Sequence, residues 1–112
     1  MKETIYYSTI EGKIPFRRWL DELHETAKDR VIRRLKRLSF GNFGDVKSVG
    51  DGIHELRIDF GTGYRIYFAN ENHKIVVILT GGEKSTQSND IERAKTYYAD
   101  YRKRKTSSDL FF

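Results

Sequence analysis

Apolar and polar positions along this chain change period several times, and each change marks an element. Residues 4–8 alternate weakly, with Ile5 and Tyr7 on one side, as in a short strand. Glu11-Gly12-Lys13 reads as a turn, and Pro15 suits the first turn of a helix, where its missing N–H costs nothing. Phe16, Trp19, Leu20 and Leu23 follow the i, i+3, i+4, i+7 spacing of a buried helical stripe. Thr26-Ala-Lys-Asp29 resembles a capping box, so a second helix is expected to start there. Val31, Leu35 and Leu38 form its apolar stripe, with Ile32 at the edge and Arg30, Arg33, Arg34 and Arg37 mostly opposite. Residues 41–52 hold four glycines and neither period, so they read as a loop.

From Ile53 the period becomes two. His54, Leu56, Ile58 and Phe60 point one way, and Glu55, Arg57 and Asp59 the other. After Gly61-Thr62-Gly63, Tyr64, Ile66 and Phe68 share one face, and Arg65 and Tyr67 the other, which is a β-hairpin pattern. Residues 75–80 are apolar on both faces, as in a central strand, and Gly81-Gly82-Glu83-Lys84-Ser85 is expected to break the sheet. Asn89 is the expected cap of a last helix, with Glu92 as its capping-box partner. Ile91, Ala94, Tyr98 and Tyr101 give that helix its stripe, and the chain is expected to fray over 105–112. The predicted order is β-α-α-β-β-β-α, an α+β fold. Two N-terminal helices cover the sheet face bearing Leu56, Ile58, Phe60, Ile66 and Phe68. The other face, with Glu55, Arg57, Arg65 and Tyr67, is expected to stay partly open to solvent.

Composition narrows the function. A chain of 112 residues is expected to be one domain, 1–112, and 38% hydrophobic residues suffice for one core. The net charge of +5 favours an anionic partner. Its distribution is uneven: residues 13–37 carry 9 basic and 4 acidic groups, whereas residues 38–80 carry 4 and 5. Cysteine is absent, which excludes disulfides, thiolate metal sites and a Cys nucleophile. The three histidines, His24, His54 and His73, lack metal-ligand spacing, so neither a metal nor a cofactor is expected. No apolar run is long enough to span a bilayer and residues 1–8 hold no signal-peptide core, so a cytoplasmic protein without membrane contact is expected.

The candidate chemistry lies on the hairpin. Arg57 and Arg65 stand on one side of paired strands, and the planar arginine fork matches a phosphate. Lys84, in the following loop, is placed to reach the same area, and Gly81-Gly82 would let backbone approach a ligand. Tyr64, Tyr67 and Phe43 are candidates for stacking on a base, and Lys47 for contacting RNA. The bland alternative is that Arg57 pairs with Glu55 or Asp59 as ordinary sheet decoration. His54 falls on the core face and reads as structural, and His24 and His73 as surface residues. Neither GxGxxG nor a P-loop is present, and Ser8, Ser39 and Ser85 have no His-Asp arrangement beside them. The arginines at 30, 33, 34 and 37 are either a solvated face or a docking surface.

The run GNFGDVKSVGDGIHELRIDFGTGYRIYF, followed by ILTGGEKSTQSNDIERAKTYY, resembles the RelE/ParE superfamily of bacterial type II toxins. It is most similar to the HigB-like branch of phage-derived or addiction-module killer proteins. The likeness spans about residues 3–104 and rests on Glu55-Leu-Arg57, Gly63-Tyr-Arg65 and Gly81-Gly-Glu-Lys84-Ser-Thr-Gln87 in that order. It implies a RelE-like fold: a small twisted antiparallel sheet, two N-terminal helices and a C-terminal helix. It also implies one of two activities. Many members cut mRNA on the ribosome without a metal, and ParE-type members inhibit DNA gyrase. A non-catalytic ribosome- or RNA-binding module is a third possibility. The matching catalytic positions are Arg57, Arg65 and Lys84. Glu55 stands where nuclease members carry a lysine, and would act as base or orient Arg57. Tyr97, Tyr98 and Tyr101 are candidates for an aromatic that some members carry near the C-terminus. The implied partners are the ribosome, mRNA and a small helix-turn-helix antitoxin, with Arg30, Arg33, Arg34 and Arg37 as docking residues for antitoxin or rRNA.

Overall fold

The computed structural model describes residues 2–109. Its elements are β1 (Glu3–Tyr6), α1 (Pro15–Glu22), α2 (Glu25–Ser39), β2 (Val46–Gly50), β3 (Ile53–Ile58), β4 (Tyr64–Glu71), β5 (Ile75–Glu83), a 3-10 turn (Lys84–Thr86) and α3 (Gln87–Asp109). The fold is α+β, with one five-stranded sheet in the order β1-β5-β4-β3-β2.

Two expectations about the sheet are corrected. It is mixed rather than antiparallel: β1 runs parallel to β5, with Glu3 opposite Ile75 and Tyr6 opposite Ile78. Residues 46–50 are not loop but strand, antiparallel to β3. Val46 packs on the α2 side and Val49 on the α3 side. Two valines three residues apart fall on opposite faces, so this segment shows no stripe of either period.

The helix boundaries follow local chemistry. Pro15 opens α1 as expected, and Phe16 is its buried anchor. The N-cap of α2 is His24, without a side-chain cap bond, so the cap expected at Thr26 is corrected: Thr26 lies inside the first turn. The start of α3 falls at Gln87, before the expected Asn89, and the Thr86 hydroxyl donates to Asp90 in its first turn. Helix α3 runs on through the segment expected to fray, as far as Asp109. Arg104 holds Asp100 one turn back and the Ser8 carbonyl, and Lys105 pairs with Glu71 on β4. Leu110, Phe111 and Phe112 lie outside the described residues.

The sheet is the middle of three layers. On one side α1 and α2 enclose Phe16, Val31, Leu38, Leu56, Ile66 and Phe68, as expected. On the other, α3 covers Ile53, Tyr67, Val77 and Leu79 with Ala94 and Tyr98. The expectation of a partly open second face is therefore corrected over most of its area. β5 does not end at its glycines but pairs with β4 out to Glu83. Gly81 and Gly82 do not adopt positive φ; Trp19 packs where a Gly81 side chain would stand, and Asp90 where a Gly82 side chain would stand. Their expected role of admitting a ligand is corrected, because protein side chains already fill both spaces.

Candidate functional site

The β3–β4 turn sets the site. Gly61 and Gly63 adopt φ of 59° and 86°, which other residues tolerate poorly, and so allow the tight return of the chain. The return puts Arg57 directly opposite Arg65, and Glu55 opposite Tyr67. Like charges directly across a ladder repel. Glu55 offsets that repulsion.

The Glu55 side chain is fully buried, yet it is a carboxylate. Gln87 Nε2 donates to its Oε2 at 2.7 Å, and the Tyr67 hydroxyl donates to the same oxygen at 3.1 Å. Arg57 Nε donates to Oε1 at 3.4 Å. Lys47, opposite Glu55 on β2, brings Nζ to 3.8 Å of Oε1, and Arg65 Nε lies 3.8 Å from Oε2. Three cations thus surround one carboxylate, leaving excess positive charge. Both carboxylate oxygens are engaged from within the protein. Glu55 thereby holds the cations around it.

Arg65 is the unusual member. Its side chain is only 11% exposed. Its Nε and Nη1 are buried and make no hydrogen bond among the described residues. At 3.8 Å the Glu55 oxygen attracts its charge but is too far for a hydrogen bond. Buried donors without acceptors are rare and costly. These two nitrogens face the protein, so an anion on the exposed side of the pair would meet the remaining edge of the Arg65 fork, and Arg57, 39% exposed, flanks the same position. Lys84 follows in the 3-10 turn, its N–H bonded to the Gly63 carbonyl. It is exposed, forms no ion pair among the described residues, and lies about 7 Å along β5 from the Gly82 that faces Arg65.

The structure thus gathers Glu55, Arg57, Arg65 and Lys47, with Lys84 beside them. It adds Gln87, which sequence reasoning did not assign; its only signal was its place at the end of the motif containing Lys84. Other expectations fail. Tyr67 is buried with its hydroxyl spent on Glu55, so it offers no ring face to a base. Burial, reinforced by the Glu55 charge, pushes its hydroxyl well above the ordinary tyrosine range. Tyr64 is buried on the opposite face, beside Trp19. Phe43 also belongs to that face, 5.8 Å from the Phe68 ring. Base stacking by Tyr64, Tyr67 or Phe43 is therefore corrected. Tyr98 donates to Glu71 at the far end of β4, Tyr101 stacks on Tyr98, and Tyr97 stacks on Tyr7, so none of the three joins the arginines.

The α2 arginines divide. Arg30 lies 4.7 Å over the Phe60 ring, and Arg34 donates to the Phe43 carbonyl while covering Gly44. Those two hold loops onto the helix. Arg33 and Arg37 remain exposed. A groove of about 1040 Å³ lies elsewhere, between α1, the end of β5 and the start of α3. No described helix is long and apolar enough to cross a membrane.

Comparison with known proteins supplies a relative and a family. An uncharacterized protein of Haemophilus influenzae (strain ATCC 51907 / DSM 11121 / KW20 / Rd) is 54% identical over 87 residues, covering 77% of this chain and 88% of that protein. Residues 18–105 match the family described as Phage derived protein Gp49-like (DUF891). That span holds both core-forming faces of the hairpin, every member of the Glu55 cluster and most of α3, and the chain belongs to the phage-derived Gp49-like family.

Proposed function

We propose that this protein is the toxin of a type II toxin–antitoxin system and acts as a metal-independent, ribosome-dependent mRNA endoribonuclease. Membership of the Gp49-like family is consistent with a toxin. The observation that carries the catalytic reading is the arginine pair: Arg65, held nearly buried, stands directly opposite the more exposed Arg57, with the buried Glu55 beside both. A phosphodiester is the ligand whose charge and oxygen spacing fit that pair.

RNA carries its own nucleophile. The 2′ oxygen attacks the adjacent phosphorus, the bond to the 5′ oxygen breaks, and the products are a 2′,3′-cyclic phosphate and a 5′-hydroxyl. Arg65 and Arg57 stabilise the charge that builds on the phosphoryl oxygens. Such preorganised donors are worth roughly 3–4 kcal/mol each, or about 10²–10³ in rate. Lys84 gives a proton to the leaving 5′ oxygen, and the 2′ proton leaves to solvent. Glu55 is a positioning residue, because its buried oxygens hold Arg57, Arg65 and Lys47. The exposed Arg33 and Arg37 serve in docking rRNA or a helix-turn-helix antitoxin.

Induced expression followed by mapping of mRNA 5′ ends tests the reading. Cuts in register with codons, only in translated messages, are expected. Arg65→Ala is expected to lower cleavage by about 10²–10³ while the chain stays folded. Full cleavage by folded Arg65→Ala sinks the assignment. Supercoiling inhibition with intact messages gives the protein a gyrase target instead.

A further inference from the structure

We propose that the groove between α1, the end of β5 and the start of α3 binds a guanine nucleotide, its base stacked on Trp19 and read by Glu83, its phosphate held by Arg18. None of Glu55, Arg57, Arg65, Lys47 and Lys84 lines this groove, so the site is separate from the arginine pair and does not depend on the reading of that pair.

The groove exists because β1 is short. β1 pairs with β5 only over residues 75–78, and the strand order places nothing else on that side of β5. The edge of β5 over residues 79–83 therefore opens into a space of about 1040 Å³, room enough for a nucleotide. The Lys84 amide bonds to the Gly63 carbonyl on the β4 side, so alternation turns the N–H and C=O of Gly81 and Glu83 out into the groove. Side chains alternate as well. Asp90 of α3 packs over Gly82 and Trp19 of α1 over Gly81, which puts the Glu83 side chain on the Trp19 side, about 7 Å along the strand from Gly81. The half-buried Trp19 ring thus stands beside a carboxylate and an outward-facing backbone.

Three groups in the lining lack partners among the described residues, and they choose the ligand. The half-buried Glu83 side chain makes no ion pair or hydrogen bond. Thr80, only 6% exposed, carries a hydroxyl that bonds to nothing. Arg18 is exposed and forms no ion pair. Asp21 and Glu22 stand exposed at the α1 rim, so the groove is near charge balance and favours a ligand with both N–H donors and a negative group. Any base can stack on an indole ring, but a carboxylate discriminates because it only accepts hydrogen bonds. Among the four RNA bases, guanine alone sets two N–H donors side by side on one edge, and one carboxylate takes both. The other three place an acceptor next to their donor, and that acceptor repels Glu83. The Arg18 fork then meets the phosphate, and the Thr80 hydroxyl meets the ribose.

Trp19 is the sole tryptophan of the chain, so its fluorescence reports on the groove directly. Titration of the full chain with GMP, AMP, CMP and UMP is expected to quench it. GMP should bind at least about tenfold tighter than the other three, the discrimination that one bidentate pair supplies. Glu83→Gln breaks no ion pair of the folded chain and should abolish that preference, leaving weak quenching common to all four. Arg18→Ala should weaken all four by a similar factor, and Lys103→Ala, on α3, should change nothing. A single-stranded hexaribonucleotide with one guanine separates the two sources of the base. Binding tighter than GMP assigns the site to a base within an RNA strand, and binding no tighter assigns it to the free nucleotide. Should Glu83→Gln disturb folding, the comparison of the four bases and Arg18→Ala decide. No quenching, equal affinity for the four bases, or a guanine preference that survives in folded Glu83→Gln overturns the proposal.

Discussion

Two neighbouring rungs of one hairpin have opposite fates. Leu56 and Ile66 face each other on the α2 side, and both are fully buried in an apolar core. One rung nearer the turn, Arg57 and Arg65 face each other on the α3 side, around a buried carboxylate. The backbone is the same, and the difference lies in the cover. Two helices roof the first face, whereas one helix crosses the second and leaves the turn end of the hairpin at its margin. A charged pair survives at that margin because Glu55, Tyr67 and Gln87 hold it from below. A site can thus be built where helical cover ends, provided one buried counter-ion is fully hydrogen-bonded.

The difference between the rungs can be broken by substitution. The largest effect is expected at Glu55. Glu55→Ala leaves the buried Arg65 without its counter-charge, and a loss of about 3–5 kcal/mol is expected in urea unfolding. Leu56→Ala, one residue on, removes apolar volume instead, and about 2–5 kcal/mol should be lost while the folded fraction keeps its RNA cleavage. The two should differ in activity more than in stability. At the end of β5, Gly81→Ala forces the Trp19 ring to move, at a cost of about 1–3 kcal/mol. Smaller still is a pH effect. Burial, with help from Asp100, pushes the Tyr7 hydroxyl up to about 12, and burial with help from Glu71 does the same for Tyr98. The unfolded chain loses these protons near 10 while the folded chain keeps them, so stability should fall as pH rises from 10 to 12. Each tyrosine contributes at most about 1.4 kcal/mol per pH unit, and Tyr7→Phe and Tyr98→Phe should each flatten the decline.

Much of this layout was legible because it rests on period. The α1 stripe through Phe16, the alternation of β3 and β4, and the shared side of Arg57 and Arg65 all follow from spacing. The cover of the α3 face was implied but not drawn out. A β5 segment apolar on both faces needs two apolar roofs, and the stripe of Ile91, Ala94 and Tyr98 needs a partner. Tyr67 looked available because period assigns a face without saying what lies above it. β2 was hidden because Val46 and Val49 serve different cores. The role of Gln87 was not legible, since a single amide at a helix start carries no periodic signal. Its meaning comes only from a carboxylate 32 residues earlier in the chain.

Gly81 and Gly82 have a consequence for how this protein can change. They are adjacent in the chain, but each is held small by a different layer, one by Trp19 of α1 and the other by Asp90 of α3. A side chain gained at one position needs Trp19 to move or shrink, and at the other needs Asp90 to do so. Neither adjustment relieves the other. Divergence at this point would need coordinated changes in three separate elements, so drift should pass around this pair of positions.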